Sequence, residues 1–161
     1  MIKVSTLYKI KKKLPAELKT YADMAIELYD LLNALHVRHY ENDKIVGPAI
    51  GAEILILCYS AIFNLAKFLE NAIKARKLIE PVLDELRDLS ERALTVKTGT
   101  EKEFHYILYP MMFGTRILNM LYYSLYDIAY YGYTPVEAFI KRLIMFSPKA
   151  RREAGFRIKT S

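Results

Sequence analysis

The stretch AIGAEILILCYSAIFNLA, residues 49–66, is apolar on nearly every side of the helix that it predicts. A helix of that kind lies either at the centre of a helical core or across a membrane. Residues 54–66 separate Glu53 from Lys67, and this run is shorter than the ~20 apolar residues that span a bilayer. The stretch therefore predicts a buried central helix, from about residue 49 to residue 77.

Helical patterns continue on both sides of this stretch. Before it, apolar residues recur every three or four positions from Pro15 to about residue 40, which is one helical face. After it, Pro110 divides a long apolar segment, because an interior proline costs a helix about 3 kcal/mol. Thr134, Pro135 and Glu137 form a helix start signal, with a cap, a first-turn proline and a glutamate three residues on. The later predicted helices cover residues 81–94, 101–109, 111–131 (closed by Gly132) and the segment from Pro135.

Together these patterns predict an all-α fold, a bundle of four to five helices around the buried central helix. Both chain ends differ from this body, since apolar and basic residues alternate there, and period two is typical of extended chain. The predicted organisation is a basic, extended N-terminal arm over 1–14, a helical bundle over 15–146 and a basic, extended C-terminal tail over 147–161.

Charge is concentrated at the two ends. Residues 1–13 hold five lysines and no acid, and residues 141–161 hold seven basic residues and one acid. Residues 14–140 hold 12 basic and 17 acidic residues, so a mildly acidic body lies between two cationic ends within a net charge of +6. Charge blocks at chain ends are typical of arms that bind a polyanion; solvated tails are the alternative.

The basic residues of the ends form a candidate phosphate-binding set. Neutralising each phosphate releases condensed counterions, so such binding falls steeply as salt rises. No helix-turn-helix, zinc-finger or RNP motif is present to read bases. We expect sequence-independent binding of nucleic acid, with DNA favoured over RNA, through Lys3, Lys9, Lys11, Lys12, Lys13, Lys141, Arg142, Lys149, Arg151, Arg152, Arg157 and Lys159.

Eight tyrosines crowd residues 106–133. Four of them follow one another at spacings of four, four and three, which places them on one helical face: Tyr122, Tyr126, Tyr130 and Tyr133. Tyrosine combines an apolar ring with a hydroxyl that needs a hydrogen-bond partner, and this suits an interface that is partly exposed to solvent. The four are predicted to form a subunit interface, with core packing and stacking on single-stranded bases as alternatives.

Catalytic signatures are absent from the sequence. It contains no GxSxG, P-loop or GxGxxG pattern, and Cys58 lies in an apolar run, where an exposed thiolate is not expected. Glu53 is predicted to pair with an arginine such as Arg116 or to emerge at a first helical turn, although a catalytic acid of raised pKa is an alternative. The protein is therefore expected to be non-enzymatic and to need no cofactor.

A metal site is not predicted either. His36 and His39 lie three residues apart on one helix edge and His105 lies far along the chain. Two helical histidines and a third can bind zinc, but the chain has no HExxH or CxxC pattern. Surface or boundary histidines are the simpler interpretation.

Two other functions remain open. One is a small helical membrane protein with spans near 45–66 and 107–126, against which Arg116 inside the second span argues. The other is a helical regulator or enzyme that acts on nucleic acid. Lysines, rather than the apolar stretch of a signal peptide, follow the start of the chain, so a cytoplasmic or virion location is expected and a membrane partner is not.

The layout as a whole resembles a known family. A helical body, the segment IKVSTLYKIKKK at residues 2–13, a basic C-terminal end, and a composition rich in Lys and Glu without glutamine, as in hyperthermophiles, resemble the major capsid proteins of filamentous or rod-shaped archaeal viruses. The resemblance implies helical subunits that assemble with themselves or a related subunit around double-stranded DNA and hold it in the A form. It carries no individual binding residue. The expected function is that of a structural protein that packages nucleic acid.

Overall fold

The computed structural model describes residues 2–41, 46–69, 80, 84, 87–88 and 104–144. These residues are 92% helical, in five α-helices and without strands, which confirms the all-α class. The α-helices are α1 (Val4–Lys13), α2 (Ala16–Tyr40), α3 (Val46–Phe68), α4 (Tyr109–Tyr131) and α5 (Pro135–Ile144), and a π-helical turn, Phe104–Leu108, leads into α4.

Helix α4 is the centre of the described structure. It contacts α1, α2, α3, α5 and the π-helical turn. Its fully buried residues step by four along one face, from Phe113 through Ile117 and Leu121 to Leu125. Burial of each such side chain stabilises the fold by about 1.5–3 kcal/mol, so the helix that follows Pro110 organises the core.

Helix α3 is not the fully buried central helix that its composition predicts. It packs against α2, α4 and the π-helical turn, and Ile54, Cys58 and Ile62 are completely buried on that side. On the opposite side, Ile56 is 52% exposed and Phe63 is also exposed. The helix therefore has a buried face and a solvent-exposed face that are both apolar, and hydropathy alone does not distinguish the two.

The N-terminal segment is a helix, and the prediction of an extended arm is wrong for residues 4–13. Leu7, Ile10 and Leu14 are buried, at spacings of three and four, where α1 packs on α2 and α4. The alternating pattern placed Tyr8 on the apolar side, yet Tyr8 is exposed. Burial of three aliphatic side chains against the bundle decides in favour of the helix, since an extended chain would bury them on no common face.

Pro110 changes the shape of a helix rather than ending it. Proline donates no backbone hydrogen bond and crowds the carbonyl four residues earlier, which here belongs to Tyr106. The turn over Phe104–Leu108 widens to the π form, in which a carbonyl pairs with the residue five positions ahead. The Tyr106 carbonyl oxygen lies so close to Gly51 of α3 that a Cβ there would overlap it.

The connection between α4 and α5 is formed as the sequence predicts. Gly132 ends α4 with φ of 70°, and its N–H donates to the Asp127 carbonyl oxygen. The backbone N–H of Glu137 donates to Thr134 Oγ1 at 3.2 Å, so Thr134 caps the next helix. This short turn brings α5 back against the C-terminal half of α4.

Several predictions fall wholly or largely beyond the described residues. Of the helix predicted over 81–94, residues 84, 87 and 88 are described, and these are helical. The helix predicted over 101–109 is described from residue 104. The predicted C-terminal tail, 147–161, lies outside the described residues, as do Lys149, Arg151, Arg152, Arg157 and Lys159.

A candidate cationic and aromatic interface

Tyrosines and basic residues come together where the C-terminal end of α4 meets α5 and the end of α1. We call this region the tyrosine–lysine surface. It consists of Lys13, Tyr123, Tyr126, Tyr130, Tyr131, Tyr133, Lys141 and Arg142. Its members come from both ends of the described chain, and α4 supplies the rings between them.

The rings of α4 form a connected row. The Tyr126 ring lies 6.2 Å from that of Tyr122 and 4.7 Å from that of Tyr130, centroid to centroid. Tyr131 packs on the same Tyr126 ring at 5.8 Å, and Tyr122 contacts Tyr123 at 5.0 Å, edge to face. Aromatic pairs at these separations contribute about 0.5–1.5 kcal/mol each beyond burial, so the row is a preformed, ordered surface.

Each cation of the surface lies over a tyrosine ring. Lys13 Nζ is 5.4 Å from the Tyr130 centroid, and Lys141 Nζ is 5.3 Å from the Tyr133 centroid. The guanidinium of Arg142 lies over Tyr123, also at 5.3 Å. Such contacts contribute about 0.5–1 kcal/mol at exposed sites. They hold the cationic groups beside the rings, where Lys13 and Lys141 stay exposed and Arg142 is half-buried.

Arg142 also anchors α5 to α4. Its Nη2 donates to Asp127 Oδ2 at 2.9 Å, and the aspartate is buried. Ser124 Oγ donates to the Ala138 carbonyl oxygen beside this pair. Removing one partner of a buried pair costs about 3–5 kcal/mol, so Arg142 serves the fold as well as the charge of the surface.

The predicted phosphate-binding residues divide into three groups. Lys9, Lys12 and Lys13 are exposed on the solvent side of α1, opposite its buried face, and Lys3 precedes the helix. Lys11 Nζ is bound to Asp23 Oδ1 at 2.6 Å, and Arg142 is bound to Asp127, so both are already partnered within the chain. Lys141 is exposed on α5, and the remaining five of the set lie outside the described residues.

The four tyrosines predicted as a subunit interface do not share one exposed face. Tyr122 is 9% exposed and belongs to the hydrophobic core. Tyr126 is half-buried, and Tyr130 is exposed. Tyr133 follows Gly132 and lies outside α4, so the spacing that continues a helical face through it does not apply.

Sequence reasoning missed the most exposed tyrosine of the surface. Tyr131 is 67% exposed, because it occupies the last turn of α4, where no following turn covers it. The helix end predicted at Gly132 was the sequence feature that could have indicated the exposure of Tyr131. The contact between Lys13 and Tyr130 had no signal in the sequence, since it depends on how α1 packs.

The pKa of Tyr126 is raised, chiefly because an ionised Tyr131 would place a second negative charge beside it, and burial, Tyr130, Tyr122 and Asp127 act in the same direction. The Tyr126 hydroxyl therefore stays protonated and can donate a hydrogen bond.

Other candidate groups of the chain do not form a comparable site. Cys58 is fully buried, and burial raises the pKa of its thiol. Glu53 emerges on the exposed side of α3. His36 packs its ring against Tyr40 at 4.6 Å, and no group of three potential metal-ligating side chains occurs within the described ranges.

Helix α3 is the one described helix that is long and apolar enough to cross a membrane, by length and composition only. Of its most apolar window, 39% is buried inside the protein. The second span proposed for a membrane protein, 107–126, falls in the π-helical turn and α4, and α4 does not meet the same criterion.

Comparison of the chain with protein-family models, with curated proteins and with solved structures found no match. What this protein does is therefore inferred from its own residues.

Proposed function

We propose that this protein is a structural, non-enzymatic protein that self-assembles and packages nucleic acid, binding the phosphate backbone without regard to base sequence. One observation supports this most directly. Lys13 and Arg142, from the two cationic ends of the described chain, each lie over a tyrosine of the α4 row, and Lys141 lies over Tyr133 just beyond that helix.

The lysines of α1 extend this surface. Lys9 and Lys13 are about one helical turn apart on one stripe, and Lys12 lies beside Lys9 on the solvent side of α1. Because α1 is packed on the bundle, these charges are held on a fixed frame. Ordered cations lose less conformational entropy on binding than those of an extended arm, so each phosphate contact retains more of its favourable free energy.

The resemblance to archaeal viral capsid proteins belongs to this proposal. The all-α class and the basic first helix are compatible with a coat subunit that assembles on DNA. In that role, α1 and α5 would face the nucleic acid, and DNA would be preferred to RNA. The basic segment beyond residue 144 would add charge to the same function.

The test is a salt series with wild type and two variants of equal charge. In the first, Lys9 and Lys13 are each replaced by glutamine. The control carries Lys19→Gln and Lys67→Gln. Binding of a fluorescent 20-base-pair duplex is measured by anisotropy, and the slope of log K against log salt is determined.

We expect the first variant to lose up to about 1.8 units of slope, since each phosphate contact contributes about 0.9. The control should keep the wild-type slope. Equal losses in both variants would mean that net charge, rather than this surface, determines binding. No binding by the wild type at low salt would exclude the proposed function.

A further inference from the structure

We propose that the tyrosine–lysine surface binds single-stranded nucleic acid in preference to duplex, with an unpaired base stacked on Tyr131 and flanking phosphates held by Lys13 and Lys141. This inference rests on the proposed function and goes further, because it names the form of the nucleic acid and the ring that contacts its bases.

Tyr131 has the geometry of a stacking platform. Its ring contacts that of Tyr126 at an interplanar angle of 58°, and 67% of the residue is exposed. The next residue, Gly132, carries no side chain, and a Cβ placed on it would meet nothing within 4 Å. An aromatic ring that is held from one side and open on the other can accept a base.

Two lysines place cations over rings that are close to Tyr131 in the chain. Tyr130 and Tyr133 are close neighbours of Tyr131 in the chain, and each carries a lysine ammonium over its ring, at 5.4 and 5.3 Å from the centroids. Proteins that bind single strands combine a cationic path for phosphates with rings for bases. A duplex keeps its base faces stacked on one another, so it can use the lysines but not the ring.

A second copy of this chain is the competing occupant of the surface. In a two-fold contact the same patch would face itself, so a patch of net positive charge would face an identical patch. Lys13, Lys141 and Arg142 supply three positive charges, and Asp127 and Glu137 supply two negative ones, so the surface keeps a net positive charge. Like charges in contact oppose association, which favours a polyanion over self-association here.

The experiment compares three fluorescent probes of equal phosphate number per strand: a 20-nucleotide thymidine oligomer, an abasic 20-mer and a 20-base-pair duplex. Each is titrated with full-length wild type, Tyr131→Ala, Tyr131→Phe and the control Tyr40→Ala. Tyr40 is another highly exposed tyrosine, 77% exposed at the end of α2. Both positions are open to solvent, so substitution should leave the fold intact, which circular dichroism checks.

We expect wild type to bind the thymidine oligomer roughly 5- to 150-fold more tightly than the abasic oligomer, the contribution of one stacked base. Tyr131→Ala should remove most of that ratio, whereas Tyr131→Phe and Tyr40→Ala should keep it.

Four results would overturn the inference. Equal affinity of wild type for the thymidine and abasic oligomers would reject stacking while the proposed function stands. An unchanged ratio in Tyr131→Ala would reject this ring as the platform. If Tyr131→Ala leaves the ratio unchanged and instead alters the sedimentation coefficient of the free protein, the surface is a subunit interface. Failure to bind any probe at low salt would reject the proposed function as well.

Discussion

Two glycines set the distances between neighbouring helices. Gly51 lets α3 approach the Tyr106 carbonyl that Pro110 displaces, and a Cβ on Gly114 would lie 2.8 Å from Leu32 Cδ2 and 2.9 Å from Ile54 Cγ2. The two glycines therefore allow α2, α3 and α4 to pack at short separations. Gly51 faces backbone atoms, and Gly114 faces two branched side chains. Neither neighbour can move far in a close-packed core to make room for a larger residue.

We expect Gly51→Ala to lower the free energy of unfolding by about 1–3 kcal/mol, the usual effect of overpacking a core. Gly47→Ala is the matched control on the same helix, because its Cβ would meet Ile107 Cδ1 at an ordinary 3.7 Å. It should be neutral or stabilising, since alanine is the better helix former. Urea unfolding followed by circular dichroism measures both, and equal stability of the two variants would contradict the close approach.

At the scale of elements, α1 has two faces with different tasks. Leu7 and Ile10 are fully buried against the bundle, whereas Lys9, Lys12 and Lys13 face solvent. Deleting the segment would remove both the charge and part of the core. A loss of nucleic-acid binding after deletion would therefore not separate the two, and point substitutions on one face are the cleaner test.

Leu7→Ala should destabilise the protein by about 2–5 kcal/mol, as expected for a leucine removed from a packed core. Tyr8→Ala, its exposed neighbour, should change stability by less than about 0.5 kcal/mol. Both are compared by urea unfolding at one pH. If the two substitutions have the same small effect, α1 does not dock on the bundle.

At the scale of the whole molecule, the packing of α1, α4 and α5 brings charge from both ends of the described chain to one surface, while α3 exposes Ile56 and Phe63 elsewhere. A membrane would cover such apolar residues, and α3 has the length for it. A packaging protein should sediment only when nucleic acid is present, whereas a membrane protein should sediment by itself when detergent is absent.

We expect the purified protein to stay in the supernatant after ultracentrifugation without detergent, and to pellet at low salt when nucleic acid is added, because neutralised lysines and many subunits per strand favour assembly. Raising the salt should return it to the supernatant. Electron microscopy of the pellet should show regular particles. A protein that pellets alone and is recovered only with detergent would support the membrane alternative.

The sequence by itself determined the helical class, because periods of three and four and strong end signals are local properties. The start at Thr134 and the end at Gly132 were predictable since capping depends on a few neighbouring residues. The charge at both ends was equally visible, and it led to the expectation of a polyanion partner, which the structure leaves as a proposal.

Only the tertiary structure decided how the N-terminal segment folds, which helix is central and which tyrosines are open. Residues 4–13 satisfy both an alternating and a helical pattern, and burial of Leu7 against the bundle selects the helix. Likewise, Tyr122 and Tyr131 are chemically identical, yet one lies in the core and the other in solvent. Burial depends on which surfaces meet, and residues distant in the chain supply those surfaces.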